Sequence, residues 1–255
     1  MKVVILAGGF GTRLAEETDH IPKPMVEIGG KPIIWHIMKT YGHYGLQDFI
    51  ICLGYKGHVI KEYFNNYRLQ AKDMTIDIGR NIVTMADGMT DPWRVSLIDT
   101  GIDTLTGGRL KRIASHVGSE AFCMTYGDGI ADIDITALIR FHRSHGKLAT
   151  ITVHRPPSRF GIVELDGDQV TGIREKDTED GTLINVGFCV LESAVFDFID
   201  GDKVAWEQGP LQKLASAKQL MAFHHRGFWH PMDTLRDKRA LEELWRTKPA
   251  WKIWP

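Results

Sequence analysis

Val3-Val4-Ile5-Leu6-Ala7-Gly8-Gly9-Phe10-Gly11-Thr12-Arg13-Leu14 begins as an unbroken, branched apolar run and ends as a glycine-rich turn. Such a run reads as a strand buried on both faces, the kind that occupies the middle of a parallel sheet. Glycines at its carboxyl end let backbone N–H groups point at an anion with no Cβ in the way. In open α/β sheets that edge is where ligands bind. Two familiar phosphate-binding patterns fail on detail. The dinucleotide fingerprint G-x-G-x-x-G meets Leu14 at its third glycine, and Leu53-Gly54 stands where its acidic residue should end the second strand. The P-loop needs Ser or Thr after Gly-Lys, and Gly30-Lys31 is followed by Pro32. What remains is a plain connecting turn or a triphosphate site of another kind. Arg13 in the loop and Lys23-Pro24-Met25 beyond it favour the triphosphate site.

Working outward, residues 32–44 carry Ile33, Ile34, Ile37, Met38 and Tyr41 at helical spacing, with Pro32 suited to the first turn. A strand is predicted over 48–53 and a helix over 56–67. Strand, helix, strand, helix implies a parallel sheet with right-handed crossovers. Residues 68–94 break the rhythm and read as an excursion, with one short strand at 74–78. Beyond it strands are predicted at 95–99 and 121–126, and helices at 110–117 and 133–145. The second half is richer in strands (149–154, 161–165, 170–175 and 186–191), with a hairpin turn at Asp166-Gly167-Asp168. A helix over 234–246 would place Leu241, Leu244 and Trp245 on one face. There are no repeats or linkers, so the expectation is one domain. A mainly nucleotide-binding half covers 1–127, a mainly sugar-phosphate half 128–233, and a helix and tail 234–255.

Over 255 residues, 31 Lys and Arg balance 32 Asp and Glu, and 43% of residues are hydrophobic. That composition is globular, and the balanced charge argues against partners such as nucleic acid or an anionic membrane. No apolar run approaches the ~20 residues that span a bilayer. Gly and Arg follow where a signal peptide needs a longer apolar core. The three cysteines, Cys52, Cys123 and Cys189, sit singly in apolar runs and suit neither a disulfide framework nor zinc. A soluble, cytoplasmic protein is expected.

The pattern L-A-G-G-x-G-T-R-L followed by K-P-M resembles the signature of the sugar-phosphate nucleotidyltransferases, and later motifs match in order along nearly the whole chain. Tyr126-Gly127-Asp128-Gly129 resembles the family's acidic strand-end motif. Glu175-Lys176 resembles its E-K-P element, with Asp177 in place of Pro. The segment from Trp229 to Asp233 resembles its W-x-D element at longer spacing. Thr100-Gly101, Thr104 and the run from Thr106 to Arg112 look like the branch of that family which uses CTP and glucose 1-phosphate.

The resemblance implies a Rossmann-like three-layer α/β sandwich around a mixed, mainly parallel sheet. It also implies a reaction in which a sugar 1-phosphate oxygen attacks the α-phosphorus of CTP and pyrophosphate leaves. The attacker is already an anion, so the barrier lies in bringing like charges together rather than in making a nucleophile. By the same resemblance Leu6, Ala7, Gly8, Gly9, Phe10, Gly11, Thr12 and Arg13 hold the triphosphate and Lys23 acts at the α-phosphate. Asp128 and Asp233 take Mg²⁺, Glu175 the sugar hydroxyls and Lys176 the sugar phosphate. Lone Asp residues also cap helices, which is the alternative for each aspartate. Cytosine offers acceptors at O2 and N3, so a residue that only donates is needed there. Arg109 fits, with Thr104 and the Gly107-Gly108 backbone closing the pocket. The alternative is that Arg109, Lys111 and Arg112 are solvated charges over a helix start. A homo-oligomer, a hexamer in this branch, and a product used for bacterial surface polysaccharide are further implications. The nearest rival is the same reaction with dTTP, UTP or another sugar phosphate; a non-catalytic nucleotide sensor is the rival class, and it would be expected to lack Lys23 or one of the two aspartates.

Two histidine pairs, His142 with His145 and His224 with His225, read as surface groups rather than ligands. Trp251 and Trp254 either pack on the parent fold or meet another subunit.

Overall fold

Val3 and Ile5 belong to one apolar cluster and Val4 and Leu6 to another, so the first strand, Val3–Leu6, is covered on both faces. This computed structural model describes residues 1–19, 21–86, 91–156, 162–166, 169–174 and 182–255. The strand lies inside a seven-stranded sheet. From one edge to the other, the order is Leu220–His224, Ala149–His154, Ile184–Leu191, Phe122–Tyr126, Val3–Leu6, Asp48–Leu53 and Arg94–Asp99. Only Ile184–Leu191 runs against the rest, pairing antiparallel with both its neighbours. The sheet is therefore mixed and mainly parallel, with helices covering both faces, as the alternation in the sequence predicts.

Register places the site. Leu6 lies opposite Cys52 on one side and Tyr126 on the other. The chain first builds outward from Val3–Leu6 through Asp48–Leu53 to Arg94–Asp99, then returns to lay Phe122–Tyr126 on the opposite side. Strand order thus reverses at the carboxyl end of Val3–Leu6, which opens a crevice there.

Helix Ile33–His43 follows Pro32 and buries the predicted face. The strand at Asp48–Leu53 matches its expected bounds. Some expectations need correction. The helix expected over 110–117 begins earlier, as Thr106–Arg112, and is followed by Ala114–Val117. Gly107-Gly108 lowers helix propensity, but tertiary contact overrides it. A Cβ at Gly108 would stand 2.5 Å from Asp202 Cα, and one at Gly107 2.7 Å from the Val204 carbonyl oxygen. In the excursion, Met74–Asp77 is the first strand of a hairpin completed by Ile82–Met85, after a short helix Tyr67–Ala71. Ile78 at its turn is 89% exposed, so core burial gives no periodic signal there. His142 is not a surface group: it is buried, with Nδ1 2.9 Å from Thr150 Oγ1 and Nε2 3.2 Å from Glu192.

The cysteines are free and buried. Among the described residues no helix is long and apolar enough to cross a membrane.

Trp251 and Trp254 are buried against the chain's own fold. Together with Trp35 and Trp245 they enclose His36, their rings lying 4.9–6.1 Å from its imidazole. His36 Nε2 lies 2.9 Å from the Ile28 carbonyl, which can only accept, so Nε2 carries the proton. Nδ1 then accepts from the Trp251 indole N–H at 3.3 Å. A second proton on this ring would face that donor. Burial lowers the His36 pKa from 6.5 to about 4. Between those values the unfolded chain binds a proton that the folded chain refuses, so stability falls as pH drops from 6.5 towards 4. The expected loss is about 3 kcal/mol in full. Urea unfolding of the parent and of His36→Gln at pH 7 and pH 4.5 checks this; the acid-side fall should shrink in the variant.

Candidate active site

The loop after Val3–Leu6 is set by what its backbone oxygens do. Ala7 N–H donates to the Cys52 carbonyl at 3.0 Å, and the Gly8 carbonyl accepts from Tyr55 N–H at 3.1 Å. The same Gly8 oxygen accepts from Arg109 Nη2 at 2.8 Å. Pulled towards the sheet in this way, the loop leaves its outer side to a cavity of about 480 Å³ at the strand-order reversal. Leu6 to Thr12 line one wall of that cavity, Lys23, Tyr126 and Asp128 another, and Thr104, Thr106 and Arg109 a third. Arg13 stands in the 3-10 turn Thr12–Leu14, and its side chain lies outside the described residues.

Arg109 is not a solvated charge, being only 3% exposed. Besides Gly8, its guanidinium donates to the carbonyls of Leu53, Gly101 and Ile102 and to Thr100 Oγ1, at 2.7 to 3.2 Å. Two glycines make room for it: a Cβ at Gly8 would lie 2.2 Å from Nη1, and one at Gly54 2.5 Å from it. Arg109 therefore joins the glycine-rich loop, the end of Asp48–Leu53 and the 100–102 turn. The expectation that Gly107-Gly108 closes the base pocket is corrected. Both N–H groups donate to the Val204 carbonyl, and both glycines pack on the 202–206 segment instead of lining the cavity. Thr104 does line it.

Lys23 sits in a one-turn 3-10 helix, Lys23–Met25, entered from extended Pro22. Its ammonium lies 2.7 Å from Asp128 Oδ2 and 2.7 Å from Asp233 Oδ1. These residues are 105 and 210 positions from Lys23 in the chain. A short ribbon brings the two carboxylates together: Gly129–Ala131 pairs antiparallel with Trp229–Pro231, and Met232 N–H donates to the Asp128 carbonyl at 2.8 Å. Helix Leu235–Thr247 then fixes Asp233. Thr234 caps it with a reciprocal capping box, and Asp237 Oδ2 accepts from the N–H groups of Asp233 and Thr234. Neither site aspartate is merely a helix cap, because both carboxylates point at the same ammonium. Both offer only oxygen, and two carboxylates suit a hard, oxygen-seeking divalent cation that keeps waters and phosphates in its shell. Among the described residues there is no group of three or more acidic, His or Cys side chains that would build a fuller cage.

A second cavity of about 490 Å³ shares Tyr126 and Asp128 with the first. Asn185, Glu207, Trp229 and Asp233 complete it. Of these, Asn185 and Glu207 carry no motif and escape sequence reasoning. Glu207 sits in the loop Ala205-Trp206-Glu207-Gln208-Gly209, which looks like any polar connection. Glu175, Lys176 and Asp177 lie outside the described residues.

The fold and this site define a class: the chain belongs to the nucleotidyl transferase family, whose sequence model matches residues 2–234. The particular likeness is closer. The chain is 57% identical over 256 residues to the glucose-1-phosphate cytidylyltransferase of Salmonella typhi, covering 100% of both chains. Among solved structures, UTP-bound UGPase from Acinetobacter baumannii superimposes with a TM-score of 0.70 at 17% identity, covering 98% of this chain and 95% of that one. HddC from Yersinia pseudotuberculosis gives 0.67 at 24% identity, covering 96% of this chain and 99% of that one. These two likenesses bear on the fold.

Gly54→Ala should displace both Arg109 and the Gly8 carbonyl, since its Cβ would meet each at 2.5 Å. Misplacement of the loop on the ångström scale is expected to lower turnover by about 10²-fold. Steady-state kinetics and calorimetric nucleotide titration check it, with Gly201→Ala, whose Cβ meets nothing within 4 Å and which also lacks a positive φ, as the comparison.

Proposed function

We infer that this chain transfers the cytidylyl group of CTP to α-D-glucose 1-phosphate, giving CDP-glucose and pyrophosphate. The observation that carries this reading is the full-length 57% identity to a glucose-1-phosphate cytidylyltransferase. The geometry agrees with it. Two cavities share one wall, Tyr126 and Asp128, so a donor in one and an acceptor in the other meet there. The loop cavity takes the triphosphate and the second cavity the sugar phosphate.

In the transfer, a non-bridging oxygen of the sugar phosphate attacks the α-phosphorus, the bond to the β-phosphate oxygen breaks, and pyrophosphate leaves in line. No proton must be removed from the attacker. The chain's task is to hold two polyanions together, and Lys23 supplies a preorganised cation at the shared wall. Asp128 and Asp233 are the residues that would hold Mg²⁺. The ion would offset the negative charge that gathers on the phosphates. Arg109 backs the loop with its guanidinium held by protein oxygens, and Thr104 lines the side of the cavity where the base belongs in this reading.

We also propose that the chain works as a homo-oligomer, a hexamer, in the cytoplasm, supplying a nucleotide sugar for surface polysaccharide. Free buried thiols suit a reducing compartment. The hairpin Met74–Asp77 and Ile82–Met85 supports assembly, since it holds Ile76, Ile78, Ile82 and Val83 out at 52–89% exposure. Ile78→Lys with Val83→Lys should lower the particle mass seen by light scattering while leaving each subunit folded.

Pyrophosphate release, measured with glucose 1-phosphate, Mg²⁺ and each of CTP, UTP, dTTP, ATP and GTP, tests the reaction. CTP should exceed the others clearly; equal release with UTP or dTTP would overturn the base assignment. Lys23→Ala and Asp128→Asn should each lower turnover by roughly 10²–10³-fold with the fold intact by circular dichroism.

A further inference from the structure

One side chain, Tyr126, stands between the two cavities and lines both. Its ring rests on Gly187, which has φ +85° and where a Cβ would come within 2.3 Å of Tyr126 Cδ2. Its hydroxyl donates to Glu207 Oε1. The other oxygen, Oε2, accepts from Thr106 Oγ1 at 2.8 Å, and that hydroxyl in turn accepts from Trp206 N–H at 2.9 Å. Thr106 lines the nucleotide-side cavity and Glu207 the acceptor-side one. A single carboxylate therefore spans both. Two residues on from Tyr126 is Asp128, and the intervening Gly127 N–H is tied to the Leu6 carbonyl at 3.0 Å.

We propose that Glu207 is a positioning residue for nucleotidyl transfer. Through Tyr126 it holds the wall that carries Asp128, and through Thr106 it holds the base-side wall of the nucleotide cavity, so that donor and acceptor meet in one geometry. The proposal rests on the transfer reading above. It differs from a direct grip on the sugar, which would act on acceptor affinity alone.

Three variants decide it: Glu207→Ala, Glu207→Gln and Tyr126→Phe. Removing a residue that orients the reacting groups is expected to lower kcat by about 10- to 100-fold in Glu207→Ala. The KM for glucose 1-phosphate should move by less than about threefold, and Tm should not change. The Gln variant keeps an oxygen to accept from one hydroxyl and an amide to donate to the other, so it should recover most of the rate. Adding Tyr126→Phe to Glu207→Ala should lower kcat little further, because both remove the same tie. The proposal is overturned if Glu207→Ala turns over within about twofold of the parent. Loss confined to KM for glucose 1-phosphate, or full multiplication of the two losses, overturns it as well. If the parent itself releases no pyrophosphate with any nucleotide, the transfer reading falls. Calorimetric titration with CTP then still reads the wall: Glu207→Ala should bind about tenfold more weakly and Glu207→Gln near the parent, and equal affinities overturn the claim.

Discussion

An ammonium group withdrawn from water between two carboxylates is the constraint on which the rest of the structure depends. Lys23 is only 7% exposed, and desolvating its charge costs several kcal/mol unless counter-charges meet it closely. Asp128 and Asp233 do so at 2.7 Å each. Meeting that demand obliges the chain to bring its first, middle and last thirds to one point. Phe122–Tyr126 must lie beside Val3–Leu6, the ribbon of Gly129–Ala131 and Trp229–Pro231 must close, and helix Leu235–Thr247 must start where Asp237 can hold Asp233 by its backbone. Of the carboxylates that balance the lysine, Asp128 lines both cavities and Asp233 the second.

Arg109 plays a comparable part on the other side of the loop. Its donors reach five protein oxygens from separate stretches of chain, and this buried cation is what keeps the Gly8 carbonyl turned inward. A guanidinium fork behind the loop fixes that carbonyl with more geometric constraint than a lysine would. Gly8 and Gly54 are required by this packing as much as by the turn itself.

Much of the fold was legible because it is written locally. Continuous branched apolar runs mark strands buried on both faces, and the helix Ile33–His43 follows from its spacing. Lys23, Asp128 and Asp233 were legible from motifs. Their union was not, since nothing in a linear pattern states which loops meet. Glu207 and Asn185 stayed hidden for the same reason: each is an ordinary polar residue until the sheet brings it beside Tyr126. Gly107-Gly108 misled in the opposite direction, because a glycine pair looks like a ligand loop when it in fact admits the 202–206 segment. His142 read as a surface group, yet Thr150 eight residues on and Glu192 fifty residues on satisfy its ring nitrogens in the interior.

By itself, then, the sequence determined the class of sheet, the loop at its central strand and the identity of the three charged residues that meet beside it. These follow from backbone preference and side-chain chemistry, which act within a few residues. Only the tertiary structure decided which side of the sheet each excursion took, that Trp251 and Trp254 enclose His36, and that one carboxylate, Glu207, links two cavities. Those outcomes depend on which surfaces come into contact, and burial and hydrogen-bond satisfaction across long chain separations choose them only once the whole chain is packed.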